Sequence, residues 1–439
     1  MQKLFNYFFN KNNEINKLGY LAFLVGIFLL PTALGISIIF FIISLVISFL
    51  KPINFFKDKW NYPFLLSGFL MFLSTIMHFK IPQEYKSFEL DPNLSFLGLI
   101  NWIPFFLCFW GFQKYLNTPE KRILTAKILI SGSIPVIFSG VLQLLNINGP
   151  FQLLNGFIIW FQKPLSEVGS ISGLFNNQNY AGLWMVMVWP FCLFELKEKH
   201  KNRRNKYLTK FIALTFIVFI SLTDSRNALL GLIISSPIVL GTASLIWYLP
   251  TIIILISLLG IAVIPIFPTD LQIIVKSIIP SRLYTLFSEI GFENLATYPR
   301  ISKWTAAIGF IIKKPIFGWG AASFPILYKA QSGEWFGHAH NLPIELALSY
   351  GILTSLIIFS TVTLLLILSF KKINHLFNSN KFNRIRIFQK AWCASTLIFL
   401  LSHLFDIQYF DARISIFSWI LLAGLRAFIM EEKGLNNSF

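Results

Sequence analysis

The chain has 439 residues, of which 55% are hydrophobic and 13% charged, and its mean hydropathy is +0.66. This composition excludes an ordinary soluble domain, which needs a more polar surface at this length. The formal net charge of +18 would suggest nucleic-acid binding in a soluble protein, but most basic residues lie in short segments between apolar stretches. Membrane topology explains that pattern, so we expect membrane lipid and no nucleic acid among the partners.

Apolar stretches recur along the chain at close to the roughly 20 residues that a helix needs to cross a bilayer. They predict an all-α protein with about 12 transmembrane helices and one long insert between the ninth and tenth. The tenth predicted span begins at Asn341 and ends near Phe370. In chain order, the predicted spans cover residues 17–31, 32–50, 61–79, 96–115, 123–145, 180–196, 208–223, 227–245, 248–267, 341–370, 389–404 and 413–430.

Basic residues orient these spans, because loops rich in Lys and Arg stay on the cytoplasmic side of a membrane. A cytoplasmic N-terminus and alternating spans place the basic loops at 51–59, 197–210 and 371–390 inside. The C-terminal tail at 431–439 is then also cytoplasmic. The insert at about 268–340 and the segment DIQYFDAR face outward.

The three cysteines, Cys108, Cys192 and Cys393, lie in apolar runs. Their odd number and their spacing support neither a disulfide framework nor a metal site. We expect them to be packing residues.

Arg226 stands between two predicted spans in the segment SLTDSRNALLGL. An arginine at the membrane rim is costly unless it is paired or reaches water, and Asp224 is close enough in sequence to orient it. Two interpretations stay open: an arginine that snorkels to the interface, and a binding group for an anion.

Arg300 and Trp304 are four residues apart in RISKWTAAIGFIIKK, so in a helix they share one face. Trp304 and the isoleucines form an apolar side, and Lys303 belongs to the predicted polar side. The pattern is typical of a helix on the outer membrane surface. Arg300 is either part of that anchor or a guanidinium fork for phosphate oxygens.

The segment GWGAASF follows this helix. It is no dinucleotide fingerprint, and its Gly318 and Gly320 predict a tight turn with close backbone approach.

The segment HAHNLPIE predicts the start of a helix, with Asn341 as the N-cap and proline in the first turn. His340 is therefore expected at a helix N-terminus, where anions bind and where the neutral imidazole that a general base needs is favoured. Glu345, four residues after Asn341, could orient a neighbour. A metal site at His338 and His340 is weakly indicated, because the motif has no cysteine or carboxylate cluster beside it. A purely structural His340 is the remaining alternative.

Taken together, TDSRNALLGL, RISKW, GWGAASF and HAHNLPIELALSYGI resemble, in order and spacing, the O-antigen ligase and polymerase family of bacterial membrane proteins. Weaker similarity extends over roughly residues 170–430. The resemblance implies a GT-C-like fold in the cytoplasmic (inner) membrane, with N-terminal helices at 1–170 and the family's membrane region at 171–430. Asn227 departs from the family pattern, because family members often have glycine at this position. The departure puts the predicted shape of the local turn in question more than the predicted role of Arg226.

The resemblance further implies a metal-independent glycosyltransferase without a cofactor, and no DxD motif occurs in the chain. The donor would be a glycan on a polyprenyl diphosphate, and the acceptor would be lipid A core, a growing glycan or a protein. Arg226 and Arg300 would hold the diphosphate, and His340 would be the base. His338 would be a secondary candidate for the base. Arg226, Arg300 and His340 form the predicted catalytic set, and the predicted substrate-binding residues are His338, Asn341, Trp304 and Glu345.

A different class of function also fits a polytopic membrane protein, namely a transporter of a small anion such as bicarbonate, or of a lipid-linked glycan. A transporter is expected to carry ionisable groups or broken helices at the bilayer midplane. The charges of this chain concentrate at span ends and in the insert, which favours the enzyme. A structural membrane subunit is a third alternative that would not need the outward Arg and His residues.

Overall fold

The computed structural model is mostly helical, in line with the predicted class. The predictions for the loop around 80–89, for part of the insert at 280–298 and for most of the tail at 431–439 lie outside the described residues. The residues that the structure describes are 14–50, 55–79, 90–153, 155–156, 158–199, 202–264, 266–279, 299–376 and 383–431.

The helices of the described residues follow the predicted spans closely over most of the chain. In chain order they are α1 (Glu14–Leu29), α2 (Leu34–Leu50), α3 (Asn61–Phe79), α4 (Pro92–Gly98), α5 (Ile103–Phe112), α6 (Pro119–Leu144), α7 (Leu165–Val168), α8 (Gln178–Lys197), α9 (Arg203–Leu222), α10 (Arg226–Leu240), α11 (Leu249–Val263), α12 (Thr269–Ile278), α13 (Pro299–Lys313), α14 (Ser323–Ser332), α15 (Leu342–Tyr350), α16 (Ile352–Leu376), α17 (Asn383–Ser402) and α18 (Ala412–Met430). Short 3-10 turns occupy Phe55–Lys57, Leu99–Asn101, Gln113–Tyr115 and Thr242–Trp247.

Within the described residues, 5 helical segments are long and apolar enough to cross a membrane. They are Pro92–Tyr115, Pro119–Leu144, Arg203–Leu222, Ile352–His375 and Ala412–Met430, and four shorter apolar helices accompany them. A multi-pass membrane protein is therefore supported, while the count of 12 spans stays a prediction.

A small β-hairpin departs from the all-α expectation. Strands β1 (Phe151–Leu153) and β2 (Ile158–Trp160) pair antiparallel, with Phe151 opposite Trp160. The indole N–H of Trp160 donates to the carbonyl of Thr32, 2.8 Å away, so the hairpin is fastened to the turn between α1 and α2. Its Gly- and Pro-rich surroundings explain why no helix forms there.

Helix α8 is the centre of the bundle. All its residues from Ala181 to Phe194 are buried, as expected for a helix that is apolar on every side. It packs against α6, α9, α10 and α17. The main core cluster draws on residues from both predicted regions, 1–170 and 171–430, so these regions share one core.

Ion pairs gather at one end of the bundle, which we call the basic end. Arg122 pairs with Glu431 at 2.9 Å, and Arg426 pairs with Asp58 at 2.7 Å. Arg384 pairs with Glu198 at 2.7 Å. These residues lie in or close to segments that the sequence assigns to the cytoplasm, and the structure places them together.

Segments that the sequence assigns to the outside meet at the other end, which we call the histidine end after His340 and His403. The backbone N–H of Leu342 donates to the carbonyl of His403 at 2.9 Å. The hydroxyl of Tyr409 donates to the carbonyl of Asn101 at 3.0 Å. The start of α15, the loop after α17 and the link between α4 and α5 therefore form one surface.

The tenth predicted span is not one continuous helix, because the helix breaks at Gly351. This residue has φ +93° and ψ 158°, a backbone conformation that is nearly restricted to glycine. The backbone of Pro315 and Ile316 lies against the break, and the N–H of Ile352 donates to the carbonyl of Pro315 at 2.9 Å. The short helix α15 thus ends before the apolar helix α16 begins.

Candidate functional site

The two histidines of the HAH segment lie against the loop that follows α17. The Nδ1 atom of His340 is 3.0 Å from an Oδ1 oxygen of Asp406. The side chain of His340 is 26% exposed and that of Asp406 13% exposed, so the pair is sheltered but open to a ligand. His340 has φ +54°, an uncommon conformation for a residue other than glycine that turns the chain into α15.

Asp406 is held in a set orientation by three donors. Its Oδ1 also accepts the backbone N–H of Ile407 at 3.0 Å, and its Oδ2 accepts from the amide of Gln408 at 3.1 Å. Burial alone would raise the pKa of Asp406, but the hydrogen bonds that its carboxylate accepts, first from His340 and then from the backbone N–H of Ile407, help to hold that pKa below its usual value. The carboxylate is therefore ionised and accepts the Nδ1 proton of His340.

These contacts assign opposite tautomers to the two histidines. Because Asp406 accepts from Nδ1 of His340, the Nε2 atom of that ring carries a free lone pair, as a general base requires. The Nδ1 atom of His338 instead accepts the backbone N–H of His340 at 3.2 Å. The proton of the neutral His338 ring is therefore on Nε2, which makes this atom a hydrogen-bond donor.

His338 stays neutral over the physiological range. Burial lowers its pKa to about 4, and the charges of His340, Lys303 and Arg300 act in the same direction while Asp406 opposes them. The two imidazole rings lie edge to face with their centroids 4.3 Å apart. A ring with an acceptor nitrogen and a ring with a donor nitrogen thus lie side by side.

Asn341 and Glu345 hold the backbone between and after the histidines. Asn341 is the N-cap of α15 as predicted, since its side chain accepts from the N–H of Ile344 at 3.0 Å. Its amide nitrogen donates to the carbonyl of Leu404 at 2.9 Å. Glu345 accepts from the N–H of Ala339 at 2.9 Å, and burial raises the pKa of this carboxyl to about 7.

Helix α13 places a basic group beside this cluster. Arg300 is half-buried, and its charge reaches His338 and Lys303. Trp304 packs against Phe405, with ring centroids 6.4 Å apart, which joins α13 to the loop of Asp406. The predicted sharing of one face by Arg300 and Trp304 therefore brings both toward the histidine end.

The assignment of Lys303 to the polar face of α13 is wrong. Lys303 is only 3% exposed, and its Nζ lies 3.3 Å from the ring centroid of Phe336. A cation over an aromatic face keeps favourable electrostatics without water. The face of α13 that points away carries Ile308 and Ile312, which are 47% and 71% exposed, and its contact with the membrane surface stays a prediction.

The glycine loop between α13 and α14 closes the other end of α15. The N–H of Trp319 donates to the carbonyl of Leu348 at 2.7 Å, and the N–H of Gly320 to that of Ser349 at 3.0 Å. Both Gly318 and Gly320 have positive φ. The predicted tight turn with close backbone approach is confirmed.

Arg226 lies exposed at the start of α10, apart from the histidine cluster but at the same end of the bundle. Gly182 of α8 packs so closely on this turn that a Cβ there would be 2.8 Å from the Cβ of Ser225. Tyr180, two residues earlier, is within electrostatic reach of Asp406. A ligand would have to bridge Arg226 and His340.

His338, His340 and Asp406 also form a group that could hold a metal ion, because their ligand atoms lie within 4.8 Å of one another. The sequence suggested only the two histidines and predicted no metal. The Nδ1 atoms of both histidines already take part in the hydrogen bonds described above, so a metal that bound through Nδ1 would have to displace them.

The sequence did not single out Asp406 as a partner of His340. The two residues are 66 positions apart, and the short outward segment around Asp406 has no motif of its own. Only the predicted topology, which places both segments outside, pointed to their meeting.

The fold and this cluster define a multi-pass helical membrane protein with a histidine–aspartate pair beside a basic helix. Residues 211–359 match the family described as O-Antigen ligase, and the resemblance drawn from the motifs is thereby confirmed at the level of the family. The matched region contains Arg226, Arg300 and His340, whereas Asp406 lies beyond it. No curated protein matches the chain.

Proposed function

We propose that this protein transfers or polymerises a glycan from a polyprenyl-diphosphate carrier onto a lipid or glycan acceptor at the periplasmic face. The observation that carries the proposal is the hydrogen bond between His340 and Asp406, next to Arg300 and within a family of glycan ligases. An oriented base and a nearby guanidinium are the two groups that this transfer needs.

In the proposed reaction, Nε2 of His340 takes the proton of an acceptor hydroxyl as its oxygen attacks the anomeric carbon of the donor. The bond from that carbon to the diphosphate oxygen breaks, and the polyprenyl diphosphate leaves with the electron pair. Arg300 and Arg226 stabilise the charge that develops on the diphosphate. Asp406 keeps Nδ1 of His340 protonated and stabilises the imidazolium that forms.

The same proposal includes independence from metal ions. Transfer by the purified protein should continue unchanged in excess chelator, because the base and the arginines supply the chemistry. Loss of transfer in chelator, with recovery on adding back one divalent metal, would instead make His338, His340 and Asp406 a metal centre.

The decisive experiment is a gel profile of surface polysaccharide from cells that lack the protein, rescued by wild type, His340→Ala or Arg300→Ala. Both variants should insert in the membrane and fail to restore the profile. Accumulation of long carrier-linked chains would identify a ligase, and accumulation of single repeat units a polymerase. Arg204→Ala, an exposed arginine at the basic end, is the matched control and should rescue fully.

The anion-transporter alternative gains no support from the family match. The buried ion pairs of the described residues, such as Arg122 with Glu431 and Arg413 with Asp411, lie at helix ends. An unchanged glycan profile in the cells lacking the protein, together with altered anion uptake, would move the transporter to first place.

A further inference from the structure

A cavity of about 310 Å³ is lined in part by His338. It lies between α4, the link to α5, the glycine loop and α15. This volume is at the lower end of the range for small-molecule sites. The cavity is lined by His338, whose ring contacts that of His340, the proposed base.

The walls combine aromatic and aliphatic side chains with several buried polar groups. Trp102 lines the cavity and is held in place by stacking on Tyr409, with ring centroids 4.4 Å apart. The polar lining residues are Asn101, His338, Glu345, Ser349 and Tyr350.

Tyr350 is the polar lining residue whose hydroxyl is open to a ligand. Its side chain is 2% exposed, and its hydroxyl has no hydrogen-bond partner among the described residues. Gly98 leaves room for it, because a Cβ at that position would lie 2.5 Å from the hydroxyl. A buried hydroxyl without a partner is costly, so one that lines a cavity indicates a polar occupant.

The described lining contains no lysine or arginine, and it includes the carboxyl of Glu345. A diphosphate would therefore find no counter-charge there. An isoprenyl chain would cover the polar groups without pairing them. A sugar ring has both apolar faces for Trp102 and hydroxyls for the polar groups, and it fits the lining better than either.

We infer that this cavity is a subsite for one uncharged sugar unit, the unit that carries the attacking hydroxyl of the acceptor. That the occupant is a sugar rests on the cavity alone. That this sugar belongs to the acceptor rests on the proposed function. Nε2 of His338 donates to this sugar at the mouth of the cavity. The ring centroids of the two histidines are 4.3 Å apart, so a hydroxyl at that mouth comes within reach of His340.

The test uses the purified full-length chain and saturation-transfer NMR with four probes: methyl glucoside, methyl N-acetylglucosaminide, methyl glucuronide and farnesyl phosphate. At least one uncharged glycoside should bind wild type, and the glucuronide should bind less because of Glu345. Farnesyl phosphate should not displace the bound glycoside. Absence of glycoside binding, or displacement by farnesyl phosphate, would overturn the subsite.

Two variants locate the binding. Tyr350→Phe removes only the hydroxyl and should weaken glycoside binding by roughly five- to tenfold. Leu97→Trp, at an exposed residue of the cavity mouth, should abolish it. Tyr207→Phe and Leu107→Trp change exposed residues outside the lining and should bind as wild type does. Equal binding by all four variants would place the sugar elsewhere.

Kinetic measurements distinguish a failure of the sugar subsite from a failure of the proposed function. In a transfer assay, Tyr350→Phe should raise KM for the acceptor and leave KM for the lipid-linked donor unchanged. A raised donor KM instead would assign the cavity to the donor sugar and overturn the acceptor role. If the cellular glycan profile refutes transfer while glycosides still bind the cavity, the proposed function fails and the sugar subsite stands.

Discussion

At the scale of single residues, the proposed chemistry depends on which ring nitrogen of His338 and of His340 carries the proton. Asp406 keeps the proton of His340 on Nδ1, and the backbone N–H of His340 forces the proton of His338 onto Nε2. Two histidines that are two positions apart therefore have different tautomers. Sequence identity alone cannot assign tautomers, because the assignment depends on which acceptor or donor each ring nitrogen meets.

The exchange Asp406→Asn should reduce glycan transfer by about a hundredfold or more, the usual weight of general acid–base catalysis. The amide can donate to Nδ1 of His340, which moves the proton to Nε2 and removes the base. The measurement is the transfer rate of protein inserted at wild-type levels. Asp270→Asn, at an exposed residue of α12, is the control, and equal rates for the two variants would contradict the role of Asp406.

Glu345 makes stability depend on pH. Burial raises its pKa from 4.5 to about 7, so the folded chain binds an extra proton between these values. The contribution of Glu345 to the free energy of unfolding is therefore fully present below about pH 4.5. It is lost as the pH rises through about 7, and the loss is about 3 kcal/mol at most.

The thermal unfolding midpoint of the purified protein should fall between about pH 5 and about pH 8 through this group. Glu345→Gln, which keeps an acceptor for Ala339, should flatten that part of the curve. Glu334→Gln changes an exposed carboxyl and should leave the curve as in wild type. The same slope in all three proteins would show that Glu345 does not carry the effect.

At the scale of elements, the break between α15 and α16 shapes the site. The backbone of Pro315 and Ile316 fills the break, and the glycine loop that follows caps the last carbonyls of α15. A continuous helix would leave no room for the backbone of Pro315 and Ile316 at this position. Hydropathy could not detect the break, because Gly351 interrupts an apolar run without changing its apolar character.

Gly351→Ala tests the break. A Cβ at this position would collide with the carbonyl group of Ile316, with only 2.6 Å to its carbon, and alanine does not favour φ +93°. We expect this substitution to lower the free energy of unfolding by roughly 1–3 kcal/mol or more. Gly309→Ala in α13, where a Cβ meets nothing within 4 Å, should instead stabilise by about 0.5–1 kcal/mol. The comparison is made on unfolding midpoints, and a neutral Gly351→Ala would contradict the strain at the break.

At the scale of the whole molecule, ion pairs collect at the basic end and the histidine cluster at the opposite one. The positive-inside rule then predicts that the basic end faces the cytoplasm. A cysteine at exposed Ser332 of α14 should react with an impermeant maleimide in intact cells. A cysteine at exposed Tyr207 of α9 should react only after permeabilisation. The three native cysteines are buried, and the reverse labelling pattern would overturn the orientation.

The sequence by itself determined the membrane class, the helix bounds of most predicted spans and the N-cap at Asn341, and it supplied most residues of the proposed site. These features follow from hydropathy, spacing and local hydrogen bonding, which act within a few residues. The tertiary structure alone decided the partner of His340, the burial of Lys303, the break at Gly351 and the cavity beside His338. Each of these depends on segments far apart in the chain, so the physical cause is packing that no local pattern records.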